Sequence, residues 1–493
     1  MIRAALARTA PSYAGLAAPW GPGKVYPEIA ALFGDGAAEG PFNPVYAAVR
    51  GALRALGLDA ARFDTQGWNP LGALVRRGGR IVLKPNFIRH WNPLPEGTVE
   101  SVITHGTVVR AVADYAFLAA GAEGSVAIAE SPQQDCDFAR IREIVGLDAI
   151  VRRYEEALAR ELEVIDLRRE AVAFRDGIIV GRWPLPGDPA GYRTVDLGTR
   201  SFFAGSGLDP ARFRGADYDP SVTTEHHQGG RNAYLLSETV LSADLVVNLP
   251  KLKTHKKTGV TLALKNLVGI NGDKNWLPHH SLGSPAEGGD EFPGEGAIDR
   301  LRSRATEWAR PLLRRGVGLD FFRLARRLES KARGDAFLRS GNWYGNRTTW
   351  RMCCDLNRCL YYSDARGLQL DAPAPVRTVL TLIDGVVAGE GEGPLAPRDV
   401  PLGAIVASTD PVAADLVAVR LMGFDERKLP KLSEAMRDAG PRVTAVRDAT
   451  DVSVGEVAPG SFEVRDVRLD DLCAARTFVA HPGWAGHVER SAP

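Results

Sequence analysis

The stretch from Arg80 to Glu130, RIVLKPNFIRHWNPLPEGTVESVITHGTVVRAVADYAFLAAGAEGSVAIAE, decides the fold class. Its apolar run Ile81-Val82-Leu83 has the continuity of a buried strand and stops at Lys84-Pro85-Asn86, because proline cannot donate to a ladder. Thr104 is placed to cap a helix running from Thr107 to Ala120, with Val108, Val109, Val112 and Tyr115 on its apolar face and Gly121 as its stop. Ser125 to Ala129 is a second short apolar strand. Strand, helix and strand in this order form a βαβ unit, whose crossover is right-handed and whose strands run parallel.

The same grammar recurs downstream. Leu245 to Leu249 reads as a strand, and Val260 to Val268 as a compact helix after a lysine-rich turn. Val379 to Ile383 and Ala404 to Ala407 are further strand candidates. The second runs into Asp410-Pro411 and the amphipathic stretch Val412 to Met422, with proline where a first helical turn tolerates it. The expectation is an α/β fold, a mainly parallel sheet built from βαβ units, with a helical insertion and irregular lid loops. One domain is expected over 1–440, interrupted by an insertion at about 276–350, with 441–493 as a C-terminal extension packed on it. Pro184 to Gly230 and Ser281 to Gly296, rich in Gly and Pro, read as insertions or lids. Arg300 to Arg333 reads as a basic amphipathic helical region packed on the main body, with a membrane-surface or partner helix as the rival reading.

Composition narrows the function classes. With 493 residues, 45% hydrophobic and 25% charged, the chain can bury a large core. Its 61 basic and 60 acidic side chains nearly cancel, so no global field recruits nucleic acid or an anionic membrane. Any attraction for anions must be local. No window holds about 18 uncharged apolar residues, so no membrane span is expected. The five cysteines, Cys136, Cys353, Cys354, Cys359 and Cys473, show no CxxC pair, and the first residues lack a secretory h-region. A cytoplasmic, reduced chain is expected. There is no GxGxxG after a strand, no Walker lysine loop and no nucleophile elbow.

The densest constellation is Asn248-Leu-Pro-Lys-Leu-Lys-Thr-His-Lys-Lys, which sets Lys251, Lys253, His255, Lys256 and Lys257 at a strand exit, ahead of Lys265 and Asn266. So many cations beside a buried strand repel one another unless solvent or an anion compensates them. Backbone N–H groups at the start of the following helix would add donors for a carboxylate or phosphate. The next loop supplies Asn271, Asp273, Lys274, Asn275, His279 and His280, the histidines as acid/base groups or metal ligands. Lys84 and Asn86 end the first strand. His105 stands either at the same sheet edge or simply as part of a helix cap. Glu130, Asp135 and Asp137 follow the second strand. Asp384, Glu390 and Glu392 lie in a glycine-rich loop, where they bind a divalent cation, act as bases or pair with lysines. Asp410 reads as a helix cap. The cysteine-bearing stretch around Cys353 reads as a buried helix without the run of four thiolates that an iron-sulfur cluster requires.

These motifs together resemble the bacterial and archaeal proteins grouped as domain of unknown function 362. The matching residues are Leu83-Lys-Pro-Asn86, Thr104-His105 with Val108-Val-Arg-Ala111, Leu249-Pro-Lys-Leu-Lys-Thr-His255, Leu264-Lys-Asn-Leu-Val-Gly269, Asp384-Gly-Val-Val-Ala-Gly-Glu390 with Gly393-Pro394, and Asp410-Pro-Val-Ala413. They run in order from about Ile81 to Phe424. The resemblance implies an enzyme whose reaction is unnamed, and, through members joined to ferredoxin-like modules, redox work. This chain lacks such a module and carries instead the Gly341-to-Trp350 segment and a long central insertion. A fold-level analogy to lactate-racemase-like proteins licenses no reaction by itself.

The functional expectation is an enzyme acting on a small anionic substrate, a carboxylate or phosphate, by lysine- and histidine-assisted proton or redox chemistry. His105, His255, Lys265, Asp384 and Glu390 are the candidate catalytic groups. Lys84, Asn86, Lys251, Lys253, Lys256, Asn266, Asp273, Lys274 and His279 are the candidate substrate ligands. The rivals are a non-catalytic anion-binding protein and an iron-sulfur electron carrier. A bound metal, the substrate's identity and a homo-oligomeric state are left open.

Overall fold

The computed structural model describes residues 1–491 apart from 176–177, 216–218, 295 and 315–337. Ten strands of one sheet frame the molecule. They are β1 (Ile2–Arg8), β2 (Arg80–Pro85), β3 (Ser125–Glu130), β4 (Leu162–Asp166), β5 (Leu245–Leu249), β6 (Lys251–His255), β7 (Thr378–Glu392), β8 (Ala396–Ser408), β9 (Val452–Val457) and β10 (Arg465–Arg468). The helices that matter for the site and the surface are α1 (Gly106–Ala120), α2 (Leu262–Asn266), α3 (Ala297–Arg314), α4 (Thr349–Tyr362) and α5 (Pro411–Leu421).

The strands lie in the order β10-β9-β1-β8-β7-β5-β2-β3-β4, with β6 pairing β7 beside that path. From β4 to β7 every neighbour is parallel, and β5, buried along its whole length, is apolar on both faces as such strands require. The α/β class with a large, mostly parallel sheet is therefore what the structure shows. Antiparallel pairing enters where β8 joins β7 and β1 joins β8. Parallel pairing of β9 with β1 draws residues 452–457 into the same sheet.

Two layers of side chains pack the sheet. Ile81, Leu83, Leu245 and Val247 meet α1 and the helix Pro44–Ala55 on one face. Val82, Val246, Ile383 and Val406 meet α2, α4 and α5 on the other. The chain lays β3 and β4 outward on one side of β2, then returns to place β5 on its opposite side. Loops leaving the C-terminal ends of β2 and β5 consequently part, and such a switch in strand order opens a crevice at the sheet edge.

Four local expectations are revised. The lysine-rich stretch after β5 is a strand, because β7 runs on past Ile383 to Glu392 and offers it an edge, with Lys251 opposite Asp384 and Lys253 opposite Gly389. For the same reason Asp384 to Glu392, expected as a glycine-rich loop, is strand. A side chain at Gly389 would press on Lys253 and on the Ser101 carbonyl, so glycine there permits close approach rather than mobility. The helix expected over Val260–Val268 is α-helical only over Leu262–Asn266 and tightens into a 3-10 turn to Ile270. Thr104 does not cap α1. His105 does, its Nδ1 accepting from the Thr107 N–H at 3.2 Å. Of the basic region Arg300–Arg333, α3 covers the first part, and 315–337 lie outside the described residues.

Candidate functional site

The crevice at the switch point holds a small cavity of about 50 Å³ lined by Asn86, Ile88, Glu130, Ser131, Lys253, His255, Thr261, Lys265, Asn266, Val268, Gly269, Lys274 and Pro394. A volume of that order takes a few waters or one small oxyanion group. Its frame is a hydrogen-bonded splice between strand ends. The Asn266 amide donates to Asn248 Oδ1 at 2.8 Å and to the Lys84 carbonyl at 3.2 Å, and its Oδ1 accepts from Asn86 Nδ2 at 2.9 Å. Thr104 completes the splice, accepting from the Asn86 N–H and donating to the Leu249 carbonyl at 2.6 Å. Polar side chains thus do at the end of the ladder what backbone pairing does within it.

Charge in this frame is unevenly matched. Lys84 is fully buried and saturated. Its ammonium donates to Glu130 Oε2 at 2.6 Å, to the Pro85 carbonyl at 2.7 Å and to Asn266 Oδ1 at 3.3 Å. Gly269 crosses this pair so closely that a Cβ would overlap the Glu130 carboxylate and the Lys84 ammonium. With Glu130 committed to Lys84, Lys253, Lys265 and Lys274 face the cavity with no acid of their own on its wall. Lys253 donates to the Val102 carbonyl and Lys274 to the Ser131 carbonyl at 2.9 Å. No described residue accepts a hydrogen bond from the Lys265 ammonium.

Burial depresses all three, and neighbouring cations add to it for Lys253 and Lys274. Desolvation and then Lys251 and Lys265 push Lys253 well below the ordinary lysine range. Desolvation lowers Lys265. Lys274 comes down to about 7, through desolvation despite the attraction of Glu130. His255 is held neutral by burial among Lys265, Lys256 and Lys431. Its Nδ1 accepts from the Lys257 N–H at 3.1 Å, which assigns the proton to Nε2.

Three wall residues also carry unfilled hydrogen-bonding capacity. Asn86 Oδ1, Ser131 Oγ and Thr261 Oγ1 are buried without a partner among the described residues. Buried polar atoms in native proteins nearly always find one, and each exception calls for a water, an ion or a functional role. The helix start does not provide the anion donors expected of it. The Ala263 and Leu264 N–H groups both go to the Asp415 carboxylate, at 2.6 and 3.4 Å. Leu262, which opens that helix, sits at φ 52°, a left-handed conformation that a branched side chain adopts only when its surroundings impose it.

Of the residues singled out from the sequence, Asn86, Glu130, Lys253, His255, Lys265, Asn266 and Lys274 converge on the cavity, with Lys84 directly behind them. The others go elsewhere. Lys251 and Asp384 form a separate buried cluster with Tyr13: Lys251 Nζ lies 2.9 Å from Asp384 Oδ2 and 3.0 Å from the Tyr13 hydroxyl, which donates to Asp384 Oδ1 at 2.5 Å. His105 stacks on Tyr13 at 3.8 Å between ring centroids and is pushed down to about 3 by burial. Its backbone N–H donates to Asp384 at 3.0 Å. Glu390 holds Arg476 and the Val479 N–H, each at 2.8 Å. Asp273 caps a short turn and meets Arg169 at 3.5 Å. His279 Nδ1 bonds the Leu277 carbonyl at 2.9 Å, and Lys256 is not on the cavity wall. Sequence reasoning assigns no site role to Ser131 or Thr261. A lone hydroxyl has no readable pattern, although Ser131 does follow a strand end.

Metal-ligating chemistry is dispersed. Asp384, Glu390 and Glu392 pair separately, the last with His481 at 3.3 Å. Cys353, Cys354 and Cys359 are buried in α4, where desolvation raises all three thiols. Among the described residues no group of three or more His, Cys, Asp or Glu side chains is gathered to hold a metal ion.

Comparison with known proteins places part of the chain. It is similar to a structural-genomics target from Thermotoga maritima of known crystal structure, at 11% identity and a TM-score of 0.31, over 74% of this chain and 56% of that one. The chain therefore spans just over half the length of that protein. No curated protein matches it. Residues 194–420 match the family model described as Domain of unknown function (DUF362), a span that carries β5, β6, α2 and three of the cavity's lysines. The likeness to the domain of unknown function 362 family is carried by that segment, which is just under half of the chain.

Proposed function

We propose that the protein is an enzyme that binds a small carboxylate or phosphate in the switch-point cavity and moves a proton on it. The observation that carries this reading is the imbalance on the cavity wall: three lysines, three unpartnered polar atoms, and one carboxylate already committed to Lys84. An anion would restore the balance and would raise the depressed lysines toward their charged forms. Lys253 and Lys274 are then the electrostatic clamp. Lys265, which has no acceptor among the described residues, has a lowered proton affinity and serves as the base. Neutral His255 presents Nε2–H as a donor to negative charge developing on the substrate. The free cysteines fit a reducing cytoplasm.

Thermal shift measurements with a panel of small 2-oxo acids, 2-hydroxy acids and inorganic phosphate test binding. Proton NMR of the same compounds with the protein in D2O tests turnover. Stabilisation together with loss of a C–H signal, abolished in Lys265→Met, is the expected result. Stabilisation without exchange for every compound would favour the non-catalytic anion-binding reading. No stabilisation by any anion would remove both.

A further inference from the structure

An ordinary surface helix turns its apolar side inward; α3 does the reverse. Leu301, Trp308 and Leu312 are 71%, 87% and 53% exposed, and Arg304 and Ala305 between them are exposed too. Their spacing of three, four, seven and eleven residues from Leu301 puts all five on one stripe of the helix. The opposite side is the polar one, and it is tied down. The Ser303 hydroxyl donates to Glu291 at 2.6 Å, and Glu307 pairs with Arg214 at 2.9 Å. The outward aim of the stripe is thus fixed by polar anchors. Alongside α3 runs the strand Ile178–Pro184 of a short hairpin, which adds Val180 and Trp183, 43% and 48% exposed.

Charge says what would cover this face. Over α3 itself the sequence holds five arginines against one aspartate and one glutamate, in a chain whose formal net charge is only +1. Apolar side chains with two tryptophans, set in an arginine-rich field, match an anionic lipid surface, which receives tryptophan and leucine at the headgroup boundary and attracts the guanidinium groups around them. Among the described residues no helix is long and apolar enough to cross a membrane, so the contact is one that lies along the surface. We propose that α3 and the adjoining hairpin dock this protein on anionic bilayers, with α3 in the plane of the interface.

The test is co-flotation of the full chain with phosphatidylcholine vesicles, with and without about 30% phosphatidylglycerol, at low and raised salt. Binding to the anionic vesicles is expected, weakening by about tenfold on phosphatidylcholine alone and falling with salt. The double variant Leu301→Glu, Trp308→Glu should reduce it by about tenfold or more while leaving the melting temperature unchanged, since both side chains are already exposed. Failure of the wild-type chain to float with anionic vesicles at low salt would overturn the proposal, as would undiminished flotation of the variant. So would light scattering that shows a dimer split by the same substitutions in a chain that ignores vesicles, because the face would then be occupied by a second copy.

Discussion

Strand β6 feeds two buried lysine assemblies that share residue types and differ in how their charges are matched. At its first residue, Lys251 closes a ring of bonds with Asp384 and Tyr13, under the stacked His105. Two and four residues further on, Lys253 and His255 enter a cavity where cations outnumber acids and polar atoms stand unpaired. A buried charge that completes its own partnerships is architecture. One that leaves capacity unused is what the proposed reading takes as room for a ligand.

The sharpest way to break the contrast is to remove one cation from each side. Lys251→Ala should cost about 3–5 kcal/mol of folding stability, because it strands a buried carboxylate, and urea denaturation reads that loss. Lys265→Met removes a cation with no acceptor among the described residues, so the same measurement should show little change. Its loss should appear instead as roughly a 10- to 100-fold drop in affinity for phosphate or a small carboxylate, the worth of one charged hydrogen bond. Equal destabilisation by the two substitutions would erase the distinction.

A pH series sharpens it further. Lys274 and Lys257 are both brought down to about 7 from the ordinary lysine value of 10.5. Between those values the unfolded chain keeps protons that the folded chain has released, so stability should rise with pH across that window and level off below it. Anion affinity should run the other way, falling as pH climbs through about 7 and the Lys274 ammonium is lost. Saturating anion should flatten the stability slope. The smallest effect is expected for Thr261→Val, which deletes an unpartnered hydroxyl. Folding should be unchanged, while calorimetry should find anion affinity lowered by about 1 kcal/mol. Unaltered affinity would take Thr261 out of the site.

How far the sequence could be read depends on which forces are local. β2, β3 and β5 were legible because parallel strands buried on both faces must be written as continuous apolar runs. β6 was not, since Lys-Leu-Lys-Thr-His looks like a solvated turn until β7, more than 100 residues away, supplies the edge that makes it a strand. The glycine run after Asp384 misled for the same reason, as close packing and mobility leave the same letters. In the site, the lysines and Asn266 stood out through charge and spacing. The sequence left Asp384 open between a site role and pairing with a lysine, and His105 between a site role and a helix cap, and it could not choose the structural roles they take. The pairing of Glu390 with Arg476 was not legible, because Arg476 carries no mark that announces it.

The Asp415 carboxylate at the head of α2 has a bearing on selectivity. By taking the Ala263 and Leu264 amides there, it denies an incoming ligand the rigid, angle-demanding cradle that backbone donors give to tetrahedral phosphate. What is left are side-chain donors, chiefly ammonium tips on long flexible stems, which respond to concentrated negative charge more than to whether it sits on a plane or a pyramid. Such a receptor would sort its guests by charge density and size, leaving the shape of the remainder to whatever lines the mouth.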